Sequence, residues 1–230
     1  MHKEYIKASH KRINEQVTNF YTPTGIHVYF KDHLYNDNID AEKAVSKLES
    51  LIPTQLLSEI EMIIIGHFEE RDITAFYKDG TLHVSNIQDS EDSLLDNMVH
   101  ETAHAVEIAY GYEIYSDLKI KKEFLVKREH LHNLLWKLGY KAPKKLFLQT
   151  EYDYEFDQFL LKDVGYGKLS QVVNGLFISP YSPTSLREYF ATGFAEFYLH
   201  PNEHAFLKQI GPALYAKLER INNVESLDNS

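Results

Sequence analysis

Apolar positions recur along this chain at helical and strand spacing in alternation, before a second half that is mostly at helical spacing. Residues Glu4 to Phe20 place Ile6, Ile13, Val17 and Phe20 roughly on one face and predict a helix. "GIHVYF", Gly25 to Phe30, is rich in β-branched and aromatic residues and predicts a strand. "DAEKAVSKLESLIP" opens on an aspartate cap and closes on proline, as a helix of three turns does. "EIEMIIIGHF" contains a short continuous apolar run, the pattern of a strand buried on both faces. In "ITAFYKDGTLHVSN" two β-prone runs flank Asp79-Gly80, a hairpin signal because both turn residues tolerate positive φ.

The helix that follows is the most regular. Leu94, Leu95, Met98, Val99, Ala103 and Val106 recur every three or four residues, Asp92 or Ser93 can cap the start, and Gly111 can end it. "KIKKEFLVKREHLHNLLWKLGY" predicts a basic amphipathic helix. "QTEYDYEFDQF", Gln149 to Phe159, predicts a helix or loop whose aromatics pack while its acids face solvent. A final long pattern starts at a Ser185 cap, carries Leu186, Tyr189, Phe190, Phe194 and Phe197, and stops at Pro201. The fold class expected is α+β.

Composition narrows the chemistry. The 230 residues are 43% hydrophobic, with only 10 glycines and 7 prolines, and no flexible linker is visible, so one domain is expected. The longest purely apolar run is Met62 to Ile65, far short of the roughly 20 residues that span a bilayer, and no membrane partner is expected. The N-terminal "MHKEYIKASHKRINEQ" lacks the apolar stretch of a secretory signal, so a chain starting here is expected in the cytoplasm or delivered by a non-classical route. A net charge of −10 gives no reason to expect nucleic acid as a partner. With no cysteine, thiolate metal sites and cysteine nucleophiles are excluded, and a transition metal must be held by His, Asp or Glu.

One pentapeptide supplies such groups. His100 and His104 in "VHETAHA" are one turn apart on the predicted helix, so both imidazoles point the same way, as two ligands of one ion require. Glu101 is rotated by about 100°, which in an HExxH arrangement sets its carboxylate beside the activated water. The competing reading is an ordinary helix with satisfied histidines. A catalytic zinc site needs a third protein ligand. The metzincin extension would require glycine at 107 and histidine at 110, where this chain has Glu107 and Tyr110. His130 and His132 lie on the basic helix, where histidines are usually solvated. Glu188, in the first turn of the Ser185-capped helix, is the better candidate, although it can also complete a capping box with Ser185.

His100-Glu101-Thr102-Ala103-His104, then Tyr181, then Glu188-Tyr189-Phe190-Ala191 seven residues later, resembles the zinc endopeptidases related to the anthrax lethal factor catalytic domain, which include the Pro-Pro endopeptidases. The resemblance covers residues 94–112 and 178–199. It implies a zincin fold, with a small mixed sheet, an active-site helix and a mostly helical C-terminal half. It further implies one catalytic Zn2+ held by His100, His104 and Glu188, with Glu101 as base and Tyr181 as hydrogen-bond donor to the substrate oxyanion. The chain departs from the family at Thr192, where some relatives carry a supporting glutamate, and in the long separation of His104 from Glu188, which marks residues 113–175 as an expected insertion.

The activity expected is peptide-bond hydrolysis by a metal-activated water. A peptide or protein substrate is expected to add as a strand along Leu82, His83, Val84 and Ser85, just before the motif helix. Two other readings stand beside it: a non-catalytic structural or interaction protein that keeps the fold and metal, and a hydrolase of a non-peptide amide or ester.

Overall fold

The structure, a computed structural model, describes residues 19–68 and 74–223. Its contacts divide the chain into two compact units, Met1–Val106 and Glu107–Ser230. The first contains the sheet and the second is helical, so the α+β class holds.

In the first unit five described strands, β1 (Phe20–Tyr21), β2 (His27–Phe30), β3 (Met62–Gly66), β4 (Ala75–Lys78) and β5 (Thr81–Ser85), form a mixed sheet in the order β1-β2-β3-β5-β4. β2, β3 and β5 run parallel, and β1 and β4 pair antiparallel at the two edges. Side chains alternate faces in a strand. Val28, Ile63, Ile65, Leu82 and Val84 are fully buried on one face, each contributing about 1.5–3 kcal/mol. Tyr29, Ile64 and His83 fall on the other face and are only partly covered. β3 is therefore not buried on both sides as its apolar run predicted; its neighbours across that face are Tyr29 and His83.

The hairpin between β4 and β5 is formed as expected, with φ of 46° at Asp79 and 79° at Gly80. α1 (Ala41–Leu51) starts where the sequence places it, the Asp40 carboxylate accepting from Lys43 N at 3.0 Å. That cap contributes about 1 kcal/mol. The helix expected over Glu4 to Phe20 lies almost wholly outside the described residues, and its last residue, Phe20, pairs with Val28 in β1.

α2 (Glu91–Tyr115) is the motif helix and runs from the first unit into the second. Its cap is Ser90, one turn earlier than Asp92 or Ser93: Ser90 Oγ accepts from Ser93 N at 3.0 Å. Glu91 and Asp92 then occupy the first turn, where the helix dipole favours carboxylates. The first helical stretch ends beside Gly111, as the sequence predicts. Tyr110 leaves helical geometry at φ −115° and ψ 15°, and the chain resumes to Tyr115 with Ile114 fully buried.

The second unit comprises α3 (Lys119–Lys137), α4 (Lys144–Phe147), α5 (Tyr154–Gln158), a π-helical segment at Phe159–Val164, α6 (Tyr166–Val173), α7 (Leu186–Leu199), α8 (His204–Ile210) and α9 (Pro212–Asn222). Ser185 caps α7, accepting from Glu188 N at 3.1 Å. Phe124, Phe177, Tyr189, Phe190 and Phe194 are all fully or almost fully buried, so the aromatic residues of this half form its core. α3 is the basic helix the pattern predicts, and two of its basic residues, Lys127 and Arg128, are buried.

Gly193 on α7 faces Leu214 on α9, and an added Cβ would lie 2.9 Å from Leu214 Cγ. Gly193→Ala is expected to destabilise by about 1–3 kcal/mol, although alanine is the better helix former by about 1 kcal/mol. Urea unfolding reads this directly. An unchanged midpoint would mean that Leu214 turns away without cost.

Candidate metal centre

The i, i+4 spacing on α2 brings His100 and His104 together, with ring centroids 5.4 Å apart and planes at 78°. One ligand atom from each of His100, Glu101 and His104 lies within 4.8 Å of the others. Both histidines are half-buried and Glu101 is buried. Thr102, Ala103 and Ala105 are fully buried, so the motif rests on a packed helix face rather than a mobile one. Thr102 Oγ1 donates to Met98 O at 2.7 Å and so uses its hydroxyl within the helix.

Two imidazoles and one carboxylate can hold a metal ion. Imidazole suits zinc, copper, iron and nickel, so the donor set fits zinc without singling it out. His130 is exposed, and His132 packs against Phe147 and Trp136; neither joins the group.

Tyr181 and Glu188 belong to the second unit. Ser182, Thr184 and Ser185 are 0%, 1% and 3% exposed, whereas Tyr181 is 38% exposed, so this turn buries itself and presents one side chain. Thr184 N and Thr184 Oγ1 both donate to Tyr181 O, at 3.0 and 2.8 Å. Burial, reinforced by the nearby Glu188 carboxylate, pushes the Tyr181 hydroxyl well above the ordinary tyrosine range. It stays protonated, and able to donate, at neutral and moderately alkaline pH.

A hydroxyl chain ties this turn to the Glu188 helix. Thr192 Oγ1 donates to Glu188 O at 2.8 Å, leaving its oxygen to accept from Ser182 Oγ at 2.8 Å. Ser182 Oγ accepts in turn from Ser179 N at 3.1 Å. Thr192 thus joins the backbone at Glu188 to the loop of Tyr181. One turn before α2 kinks to its end, Glu107 accepts from Tyr115 Oη and from Arg187 Nε, the latter at 3.0 Å. That pair anchors the residue preceding Glu188.

The substrate strand expected at Leu82, His83, Val84 and Ser85 is corrected by the sheet. These residues form β5, which is hydrogen-bonded to β3 on one side and β4 on the other, so β5 has no main-chain edge to offer a peptide. Leu82 and Val84 are fully buried. His83 stacks on Phe76 at 4.4 Å and 8° and meets Phe68 edge-on at 6.1 Å. Burial, then Lys78 and Lys31, lower its pKa, so it is held neutral on the sheet face. Among the described residues the outer strand on that side is β4.

No family model matches this chain, and neither a curated protein nor a solved structure matches it.

Proposed function

We propose that this chain is a zinc-dependent endopeptidase. The observation that carries the reading is the convergence of His100, Glu101 and His104 on one stretch of helix, their ligand atoms within 4.8 Å. The resemblance of residues 94–112 and 178–199 to the lethal factor-like zinc endopeptidases supports it, as does the hydrogen-bonded chain that joins the Tyr181 turn to the backbone at Glu188.

In this reading, as the resemblance implies, His100, His104 and Glu188 would hold the ion. Bound zinc supplies Lewis acidity that polarises the scissile carbonyl and acidifies water toward a pKa of about 7. Glu101 takes the proton of the attacking water and passes it to the leaving amine. Tyr181, kept protonated by its surroundings, donates to the carbonyl oxygen as negative charge develops there. The substrate main chain adds along the outer edge of β4, Ala75–Lys78, by strand pairing.

The second reading is a non-catalytic protein that keeps the metal site. Elemental analysis of protein purified without a metal-affinity tag, followed by a peptide-library cleavage screen, separates the two. The parent and Glu101→Gln are expected to hold about one zinc per chain, and Glu188→Ala to lose most of it. A parent that takes up no added zinc overturns both readings. A zinc-loaded parent that cleaves nothing in the library favours the non-catalytic one.

A further inference from the structure

Arg128 is the largest fully buried side chain of the described residues, 0% exposed, and nothing in the mechanism above uses it. Its partners are main-chain carbonyls. Nη1 donates to Pro183 O at 2.9 Å and Thr184 O at 3.3 Å, and Nη2 donates to Leu146 O. The guanidinium lies 3.9 Å over the Phe156 ring, with Phe124 and Phe147 further off. Burial lowers its pKa to about 9, with the Asp153 charge opposing, so it remains charged at pH 7.

Burying a charge among aromatic rings costs several kcal/mol after relaxation. An apolar side chain of similar volume would stabilise the core at lower cost. What a guanidinium adds is a planar fork that fixes several acceptors at once. Two of its three acceptors here are the carbonyls that follow Tyr181 in the turn, the third being Leu146 O, and Thr184, held by Arg128 through its carbonyl, holds Tyr181 O through its amide and hydroxyl. Beside it on α3, Lys127 Nζ donates to Leu176 O at 2.6 Å and Ile210 O at 2.6 Å, pinning the chain ahead of the same turn.

We infer that Arg128 is a positioning residue for Tyr181: through the Pro183 and Thr184 carbonyls it sets the turn that presents the Tyr181 hydroxyl. This rests on the peptidase reading for the role of Tyr181, and not for its placement.

Arg128→Lys keeps the charge and removes the fork; Arg128→Met removes both and risks misfolding, so the lysine variant carries the test. On a peptide found by the library screen, Arg128→Lys is expected to lower kcat about tenfold, with KM and zinc content within about twofold of the parent. In a Tyr181→Phe background the same change is expected to cost less than about twofold, because the group it positions is gone. Equal losses in the two backgrounds would overturn the inference, since a general weakening of the core acts regardless of Tyr181.

A second measurement needs neither metal nor activity. In metal-free protein carrying ring-labelled tyrosine, the NMR signal of Tyr181, assigned by its loss in Tyr181→Phe, is expected to move toward the solvent-exposed position in Arg128→Lys. The signals of Tyr77 and Tyr198 are expected to stay in place. A Tyr181 signal that does not move, or tyrosines that all move together, would refute positioning whether or not the chain hydrolyses peptides.

Discussion

Glu101→Gln is expected to slow peptide hydrolysis by about 10²–10⁴-fold, the range that a positioned general base contributes, while leaving about one zinc per chain. The substitution is nearly isosteric at a buried position, so the helix should tolerate it; the amide oxygen still accepts hydrogen bonds, but the group cannot take up the proton of an attacking water. The metal measurement matters as much as the rate. Glu101 presents its carboxylate within 4.8 Å of the nitrogens of His100 and His104, close enough to serve as a ligand instead of a base. If rate and zinc fall together, Glu101 is a ligand. If zinc is retained and the rate stays within threefold of the parent, proton transfer belongs to another group and the assignment fails.

Much of the framework is legible in local signals because local physics decides it. Asp79-Gly80 needs positive φ at two successive residues, and few other pairs supply that. Asp40 and Ser185 cap helices because their oxygens reach an amide three residues ahead, a contact the sequence displays directly. His100 and His104 converge because helical spacing leaves them little choice.

What escapes the sequence depends on partners far along the chain. β5 resembles an edge strand because it follows a hairpin, yet β3 pairs on its far side, a neighbour set by a parallel crossover. A lysine or arginine on an amphipathic helix reads as solvated unless its acceptor is known. The acceptors of Lys127 and Arg128 are bare carbonyls 18 to 83 residues away, which carry no residue-type signature. Gly111 marks the break at Tyr110, but no local signal shows that a further helical stretch follows it, held by the buried Ile114 and by the bond of Tyr115 back to Glu107. The apolar pattern of α2 begins at Leu94 and points to a cap beside it, whereas the helix starts with a polar turn behind Ser90.

Thr192 supports the candidate site through the backbone rather than through a carboxylate. In place of a carboxylate its hydroxyl donates to the Glu188 carbonyl and accepts from Ser182, so the segment bearing Glu188 and the turn bearing Tyr181 share one hydrogen-bonded chain. The support is through the backbone. A polar chain of this kind is costly to leave half-satisfied, which fixes the relative placement of its members.

That fixed placement underlies the second large effect. Tyr181→Phe is expected to lower kcat by about 10²–10³-fold, the cost of removing one donor from an oxyanion site, with KM and zinc content nearly unchanged. The substitution deletes one oxygen from a side chain already 38% exposed, so little packing is lost and stability should change by less than about 1 kcal/mol. The pH dependence follows from the surroundings of the hydroxyl. Burial opposes formation of the phenolate, so the donor persists as pH rises through the ordinary tyrosine range near 10. The ratio of parent to variant kcat should therefore be flat from pH 6 to 9, and stopped-time assays of the two proteins across that range provide the check. A ratio that collapses toward one above pH 8 would mean that the Tyr181 hydroxyl ionises there. A ratio near one throughout would mean that Tyr181 makes no contact with the reacting carbonyl, which would leave the metal and Glu101 to account for the chemistry.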